Sequence, residues 1–207
     1  MMDKSTPYES SGRTRQKART RGALVGAARE LLADGTTPTV EQAADRAEIS
    51  RTTAYRYFSN QRALLLAIHP VMDAPSLLAA DASDDPRARL EQVVEHFTAQ
   101  TLALEPELRS QLRLALDPAT DPADLPFRQG RAIGWFEDAL APLGDRMTPA
   151  QLRRLVLAVR TTCGIEALVW LTDVAGVERD EAVEIMRWSA RALADAGIDA
   201  VGGQAGE

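Results

Sequence analysis

The chain of 207 residues carries 24 basic and 30 acidic side chains, two His and one Cys. Its apolar content of 45% is enough to bury a core, and a single Cys excludes an internal disulfide framework and a zinc finger built on Cys ligands. Because no run of 18 uncharged apolar residues occurs and the first residues lack the apolar segment of a signal peptide, we expect a soluble, cytoplasmic protein without membrane contact.

Charge is distributed unevenly along the chain. Residues 1–62 carry 11 basic and 7 acidic side chains, whereas residues 63–207 carry 13 and 23. A basic N-terminal part on an acidic remainder indicates that the N-terminal part meets a polyanion. A basic arm that is merely solvated would leave the same pattern, so charge alone does not decide between the two.

Helical periodicity is found along nearly the whole chain, and the alternation of apolar and polar residues that marks strands is missing, which predicts an all-α fold. Residues 1–14 are polar and contain Ser, Gly and Pro, which predicts a flexible basic arm. The second of four following helices opens at the Thr39–Gln42 capping box and the third follows the N-cap residue Ser50. The four are expected over residues 17–34, 39–47, 51–58 and, after a cap at Ser59 or Asn60, up to residue 68.

The remainder of the chain also predicts helices, and Pro or Gly marks most of their ends. Residues 117–126 hold three prolines and three aspartates and are expected to form a loop. Gly197 is expected to end the last helix and to leave a disordered tail after it. Helices are predicted from Asp85–Pro86, from Glu105–Pro106, over residues 127–140, from Thr148 to Leu171 and over residues 178–196.

Two short helices joined by a tight turn, over residues 39–58, are typical of a helix-turn-helix. In such a motif the second helix enters the major groove of DNA and the first braces it, so Ile49 and Ala54 are expected to face inward. Arg can bond guanine, Thr can contact a base edge, and Tyr can bond a phosphate. The residues expected to face outward are Arg51, Thr52, Thr53 and Arg56, and the hydroxyls of Tyr55 and Tyr57 can bond phosphates.

The stretch from Thr39 to Leu65 resembles the DNA-binding head of TetR-type transcriptional regulators, most specifically in the pattern Ser50-x-x-x-x-Tyr55-x-Tyr57-Phe58. The resemblance implies an all-helical homodimer whose larger C-terminal domain binds a small molecule and releases DNA. The DNA contacts that it implies are phosphate contacts from Thr39, Tyr55 and Tyr57, a positioning cap at Ser50, base-facing Arg51, Thr52, Thr53 and Arg56, and contacts at the start of the fourth helix from Gln61 and Arg62.

Three residues depart from the usual pattern of that family. Glu48 stands where a Gly is usual, and a Glu pays a penalty for positive φ that Gly does not, so the turn is expected to be strained or differently shaped. Ala43 replaces a larger aliphatic residue and thins the packing. Gln61 stands where a phosphate-binding Lys is common; it can still donate a hydrogen bond, and Arg62 can supply the charge.

The body after the helix-turn-helix is expected to dimerise and to bind an effector. In the resembling family the last two helices of each subunit form a four-helix dimer interface; closing only the monomer core is the alternative here. The candidates for an effector cavity lie on apolar faces or at their edges, where plain core residues would lie as well. They are Phe97, Leu112, Trp135, Phe136, Cys163, Glu166 and Trp170.

The sequence thus predicts a flexible basic arm (1–14), a three-helix TetR-type helix-turn-helix domain (15–68), a larger C-terminal helical ligand-binding and dimerisation domain (69–198) and a disordered tail (199–207). The expected function is that of a repressor which binds a palindromic operator in double-stranded DNA and is released by an unknown small-molecule effector. A ligand-independent regulator, an activator and a helical protein-binding module remain as alternatives. Because no catalytic motif is present, no enzymatic activity, cofactor or metal site is expected.

Overall fold

The structure, a computed structural model, describes residues 7–68, 74–118 and 130–202. These residues form helices and turns and no strand, which confirms the all-α prediction. The chain divides into two compact units, Met1–Pro70 and Val71–Glu207. Each unit is described by itself below.

Unit 1 is a small helical domain around a core of Leu24, Ala28, Val40, Leu64 and Ile68. The Arg29 guanidinium donates to the carbonyl of Ile68 from Nε at 3.1 Å and from Nη2 at 3.0 Å, which fastens the last helix of the unit to the first. The helices described in unit 1 are α1 (Pro7–Ala33), α2 (Val40–Arg46), α3 (Arg51–Tyr57) and α4 (Gln61–Ile68).

The first helix begins ten residues earlier than expected, so residues 7–14 are helical where a flexible arm was predicted; residues 1–6 lie outside the described part. Pro7 is compatible with this start, because a Pro in the first turn lacks only an N–H that has no helical partner there. The C-terminal end agrees with the prediction. Gly35 has φ 80°, and the Thr36 amide donates to the Leu31 carbonyl at 2.8 Å, as in a Schellman motif.

Unit 2 packs its helices around Phe97, whose ring meets those of Trp135 and Phe136 edge to face, with centroids 6.1 and 5.6 Å away. Asp85 and Thr148 cap the helices that follow them, as predicted. The elements described in unit 2 are α5 (Pro86–Ala103), α6 (Glu105–Leu116), α7 (Arg131–Leu140), a 3₁₀ turn (Ala141–Leu143), α8 (Pro149–Thr161), α9 (Ile165–Val169), a π-helical turn (Trp170–Val174) and α10 (Arg179–Gly202).

The long helix expected from Thr148 to Leu171 is interrupted between α8 and α9. The Thr161 and Thr162 hydroxyls donate to carbonyls three residues earlier, at 2.7 and 2.8 Å, and so compete with the helical bonds. Gly164 is extended (φ −91°, ψ −178°) and precedes α9 as its N-cap. A Cβ on Gly164 would lie 2.3 Å from Nη1 of Arg160, so the break brings backbone against a side chain that only Gly tolerates without movement.

The last helix continues through Gly197 instead of ending there, and it reaches Gly202. Gly197 is a point of close approach: a Cβ on it would lie 2.6 Å from Cδ1 of Leu155 on α8. Its role is therefore packing and not termination. Residues 199–202 are helical where a disordered tail was expected, and residues 203–207 lie outside the described part.

Two further sequence predictions concern segments that the structure describes only in part. The predicted loop over residues 117–126 lies outside the described residues from 119 onward, and the expected start of α7 at Phe127 also lies outside. The stretch Pro149–Val174 is long and apolar enough to cross a membrane by length and composition alone. It contains the fully buried Val156, Val159 and Leu168, and 33% of its most apolar window is buried inside the protein.

Candidate nucleic-acid interface

The α2–turn–α3 segment is built by caps at both of its helix starts. At α2, the Gln42 amide donates to Oγ1 of Thr39 at 3.2 Å and the Thr39 amide donates to Oε1 of Gln42 at 2.9 Å, which is the predicted capping box. At α3, the Thr53 amide donates to Oγ of Ser50 at 3.3 Å. The Ser50 hydroxyl in turn donates to Oγ1 of Thr53 at 2.9 Å, so Ser50 caps the helix and also fixes the Thr53 side chain.

The turn between the two helices has left-handed backbone at Glu48, with φ 56°. The Ile49 amide donates to the Ala44 carbonyl at 2.9 Å and the Glu48 amide to the Asp45 carbonyl at 3.3 Å, so Glu48 occupies the C′ position of a Schellman motif. This is the backbone that a Gly adopts at no steric cost. Glu48, which stands where a Gly is usual, therefore holds a strained backbone conformation.

The orientation of α3 separates its residues into an inner and an outer face. Ala54 is fully buried, Phe58 just after the helix is 3% exposed, and Ile49 before it is half-buried. Tyr57 and Thr53 are half-buried at the margin. The exposed face consists of Arg51, Thr52, Tyr55 and Arg56.

Two of these exposed side chains are paired with carboxylates of α2. Nη2 of Arg51 lies 3.1 Å from Oδ2 of Asp45, and the Tyr55 hydroxyl donates to Oε1 of Glu41. The bond from Tyr55 lowers the pKa of Glu41, and the same bond raises the pKa of Tyr55. The hydrogen bond to Asp45 raises the pKa of Arg51 further.

Sequence reasoning did not identify Glu41 or Asp45. A signal was present, because residues 41 and 45 lie one helical turn apart on α2, as residues 51 and 55 do on α3. Two helices joined by a short turn can bring such pairs opposite each other. Spacing alone, however, does not show which faces meet.

The start of α4 is fixed by internal hydrogen bonds. The Ala63 amide donates to Oδ1 of Asn60 at 2.8 Å, so Asn60 and not Ser59 provides the cap. Nε2 of Gln61 donates to the Pro38 carbonyl at 3.0 Å, which ties α4 to the segment before α2. One amide hydrogen of Gln61 is thereby used inside the protein. Arg62 is half-buried beside it.

The effector candidates in unit 2 fall into a buried and an exposed set. Phe97, Trp135, Phe136 and Cys163 belong to one buried cluster, and burial raises the pKa of the Cys163 thiol. Leu112 is half-buried and Glu166 is exposed. The remaining candidate, Trp170 at the start of the π-helical turn, is 58% exposed, so the candidates do not line one common cavity wall.

A groove of about 230 Å³ lies between α8 and α10, where Leu155, Ala158, Gly197 and Ala200 are among the residues that line it. None of the seven effector candidates lines this groove. Within the described ranges, no three His, Cys, Asp or Glu side chains are grouped to hold a metal ion.

Comparison with known proteins agrees with the geometry of unit 1. Residues 24–68 match the family model described as bacterial regulatory proteins, tetR family, and the match covers the C-terminal part of α1, the helix-turn-helix and α4. No curated protein and no solved structure matched the chain. The match covers the segment in which two capped helices present Arg51, Thr52, Tyr55 and Arg56 on an exposed face. Residues 24–68 therefore carry the N-terminal domain of the tetR family of bacterial regulatory proteins, and this match supports a DNA-binding transcriptional regulator of that family.

Proposed function

We propose that this regulator is a cytoplasmic, homodimeric repressor that binds a palindromic operator through α3. The observation that carries the proposal is the exposed face of α3, held by the Ser50 cap and by the buried Ala54. Arg51, Thr52, Thr53 and Arg56 contact base edges, while Thr39, Tyr55 and Tyr57 contact phosphates. Gln61 and Arg62 add contacts at the start of α4. Repression is the simplest mode of action, because occupying promoter DNA needs no activation surface.

The surface of α8 and α10 supports the dimer. Trp188 is 64% exposed and Leu193 is 39% exposed on α10, and Leu157 is exposed on α8. Ala192 and Ala196 are exposed as well and follow Trp188 at intervals of four residues, so these three residues lie on one side of α10. Such a face supports close packing of α8 and α10 against the same two helices of a second copy. Two copies are needed because one recognition helix reads only a few base pairs.

The effector site belongs to unit 2 in this proposal. Phe97, Trp135 and Phe136 are the aromatic residues of its buried cluster, and the Arg160 guanidinium lies 4.9 Å from the centre of the Phe97 ring. An effector that binds more tightly to a conformer unfit for the operator would shift the population away from DNA. A ligand-independent regulator is the second candidate, favoured by the complete burial of Phe136 and Cys163, which is equally typical of a solid core.

The proposal is tested by selecting binding sites for the purified protein from random DNA at two salt concentrations. Enrichment of a palindrome, with affinity that falls steeply as salt rises, is the expected result. Candidate effectors are then screened for release of that operator. Binding without any enriched motif contradicts sequence-specific reading, and absence of binding at every salt concentration contradicts the proposed function as a whole.

Substitutions on α3 separate the two kinds of contact. Arg51→Ala is expected to relax the preference at particular base pairs by about 10- to 100-fold, since a bidentate contact to guanine is lost. Tyr55→Phe is expected to weaken operator and random DNA by the same factor, because a phosphate contact carries no sequence information. Dissociation constants on both DNAs measure the difference. An unchanged base preference in the Arg51→Ala variant would remove Arg51 from the reading set.

A further inference from the structure

Unit 1 carries two acidic residues on the side of α2 that meets the DNA-contacting helix. Glu41 and Asp45 lie four residues apart on α2, and their partners Tyr55 and Arg51 lie four residues apart on α3. The two pairs therefore link α2 and α3 side by side, one helical turn apart. The Arg51–Asp45 pair is open to solvent, with side chains 64% and 62% exposed.

We propose that these two carboxylates restrain the DNA-contacting side chains they touch, Asp45 restraining Arg51 and Glu41 restraining Tyr55, so that the protein gains selectivity for its operator while its overall affinity for DNA falls. This inference rests on the proposed function of α3. It assigns to Asp45 a role as a specificity-determining residue and to Glu41 a role in setting the overall affinity for DNA, and neither residue needs to touch DNA.

The effect of Asp45 depends on the DNA sequence. Without a nearby carboxylate, a flexible Arg51 can bond any phosphate within reach and so strengthen binding to every DNA. Asp45 holds Nη2 of Arg51 at 3.1 Å and withdraws it from such contacts. A guanine in the right place still gains a bidentate contact, because a guanidinium carries five N–H donors in a planar fork. Asp45 therefore weakens random DNA more than the operator.

The effect of Glu41 does not depend on the DNA sequence. A tyrosine hydroxyl has one hydrogen, and in this structure the Tyr55 hydroxyl donates it to Glu41. To donate to a phosphate, Tyr55 must give up that bond, and the carboxylate of Glu41 also repels the phosphate. Both costs are the same for every sequence, because phosphates are common to all DNA. Glu41 therefore lowers the affinity for operator and random DNA by an equal factor.

The two carboxylates are distinguished by Asp45→Asn and Glu41→Gln, each of which removes one negative charge with little change of shape. The matched control is Asp34→Asn, because Asp34 is also an exposed carboxylate paired with an arginine, Arg46, at 3.1 Å, but it does not touch α3. Dissociation constants of the full-length protein are measured by fluorescence anisotropy on the selected operator and on a random duplex of equal length, at two salt concentrations.

We expect Asp45→Asn to strengthen binding to the random duplex about three- to tenfold and to strengthen operator binding less, so that the ratio of the two affinities falls. Glu41→Gln strengthens both by the same factor, more than Asp34→Asn does. If Asp45→Asn shifts both DNAs equally and no more than Asp34→Asn, the role of Asp45 is overturned. If Glu41→Gln matches Asp34→Asn, the role of Glu41 is overturned.

A double-mutant cycle keeps the test independent of changes in folding. In an Arg51→Ala background, Asp45→Asn should strengthen binding to the random duplex no more than Asp34→Asn does, because the side chain that Asp45 restrains is gone. If Asp45→Asn still strengthens binding to the random duplex more than Asp34→Asn when Arg51 is absent, the proposal is overturned. A wild-type protein that selects no operator contradicts the proposed function instead, so the two failures are distinguished by the wild-type measurement alone.

Discussion

At the scale of single residues, the turn between α2 and α3 shows how a local departure is tolerated. Glu48 has φ 56°, and within the described ranges it is the one residue other than glycine that adopts a left-handed backbone conformation. The two hydrogen bonds of the Schellman motif, donated by the backbone amides of Glu48 and Ile49, hold it in this conformation. A Cβ in this conformation meets the backbone, at a cost of about 1–2 kcal/mol per residue.

Replacing this residue relieves that strain. Glu48→Gly is expected to raise the free energy of unfolding by about 0.5–1 kcal/mol. The reason is that the strain energy relieved at positive φ exceeds the free-energy cost of the conformational entropy that Gly adds to the unfolded chain. Urea unfolding of both proteins measures the difference. Gly35→Ala is the matched control, since Gly35 holds the same position after α1 with φ 80° and its replacement should destabilise. A Glu48→Gly variant that is less stable than the wild type would contradict the conclusion that Glu48 is strained.

The caps and the outer face of α3 were predictable because they depend on residues three or four apart. Thr39, Gln42 and Ser50 form the expected bonds for this reason. The partners of Arg51 and Tyr55 were not predictable, because long side chains choose among several rotamers and the choice depends on the neighbouring helix. The same holds for Gln61, whose bond to the Pro38 carbonyl spans 23 residues.

At the scale of elements, the existence of the helices followed from periodicity, whereas several of their ends did not. Gly164 interrupts a predicted helix and Gly197 lies within one, and the two cannot be told apart by local sequence. At Gly164 the helix ends beside the Thr161 and Thr162 hydroxyls, which bond to carbonyls three residues earlier. At Gly197 a tertiary contact decides, because Leu155 of α8 lies against it. The segment between α9 and α10 is likewise fixed by charged side chains from elsewhere in unit 2.

Those side chains form an ionic network around Glu105 at the start of α6. Nε of Arg109 lies 2.7 Å from Oε1 of Glu105, and Nε of Arg179 lies 2.7 Å from its Oε2. Burial raises the pKa of Glu105, but the bonds from Arg179 and Arg109 outweigh it and leave the pKa below its usual value. Arg109 also binds Asp173 in the π-helical turn at 2.5 Å, and Thr172 at 3.0 Å. The network thus joins α6, the π-helical turn and α10.

This network predicts a loss of stability in acid. The hydrogen bond from Arg109 lowers the pKa of Asp173 from its usual 3.8 to about 2. A depressed pKa in the folded state means that the stabilisation is present above pH 4 and is lost as the pH falls towards 2. Asp173→Asn should therefore lose less stability between pH 5 and pH 2.5 than the wild type, as measured by urea unfolding. The exposed Asp145, changed to Asn, is the control; equal losses in all three proteins would contradict the role of Asp173.

At the scale of the whole molecule, α8 and α10 carry exposed apolar residues whose burial a second copy would provide. Trp188 buries little of its surface in the described chain, although a tryptophan gains much by burial. Scattered apolar residues are normal on a surface, but Trp188, Leu193 and the alanines beside them share one helix. A second copy that covers this face would bury them and link two DNA-contacting domains.

Trp188→Glu tests that link, because it places a charge in the proposed interface and leaves the sequence of unit 1 unchanged. We expect the variant to sediment as a monomer at concentrations where the wild type is a dimer, and to bind the operator at least about tenfold more weakly, since the second half-site is no longer held at a high effective concentration. Affinity for a half-site duplex should be nearly unchanged. Leu116→Glu is the matched control, because Leu116 is a large apolar residue, 71% exposed, on α6 and outside α8 and α10. A Trp188→Glu variant that remains a dimer, or a Leu116→Glu variant that dissociates as well, would place the interface elsewhere on the protein.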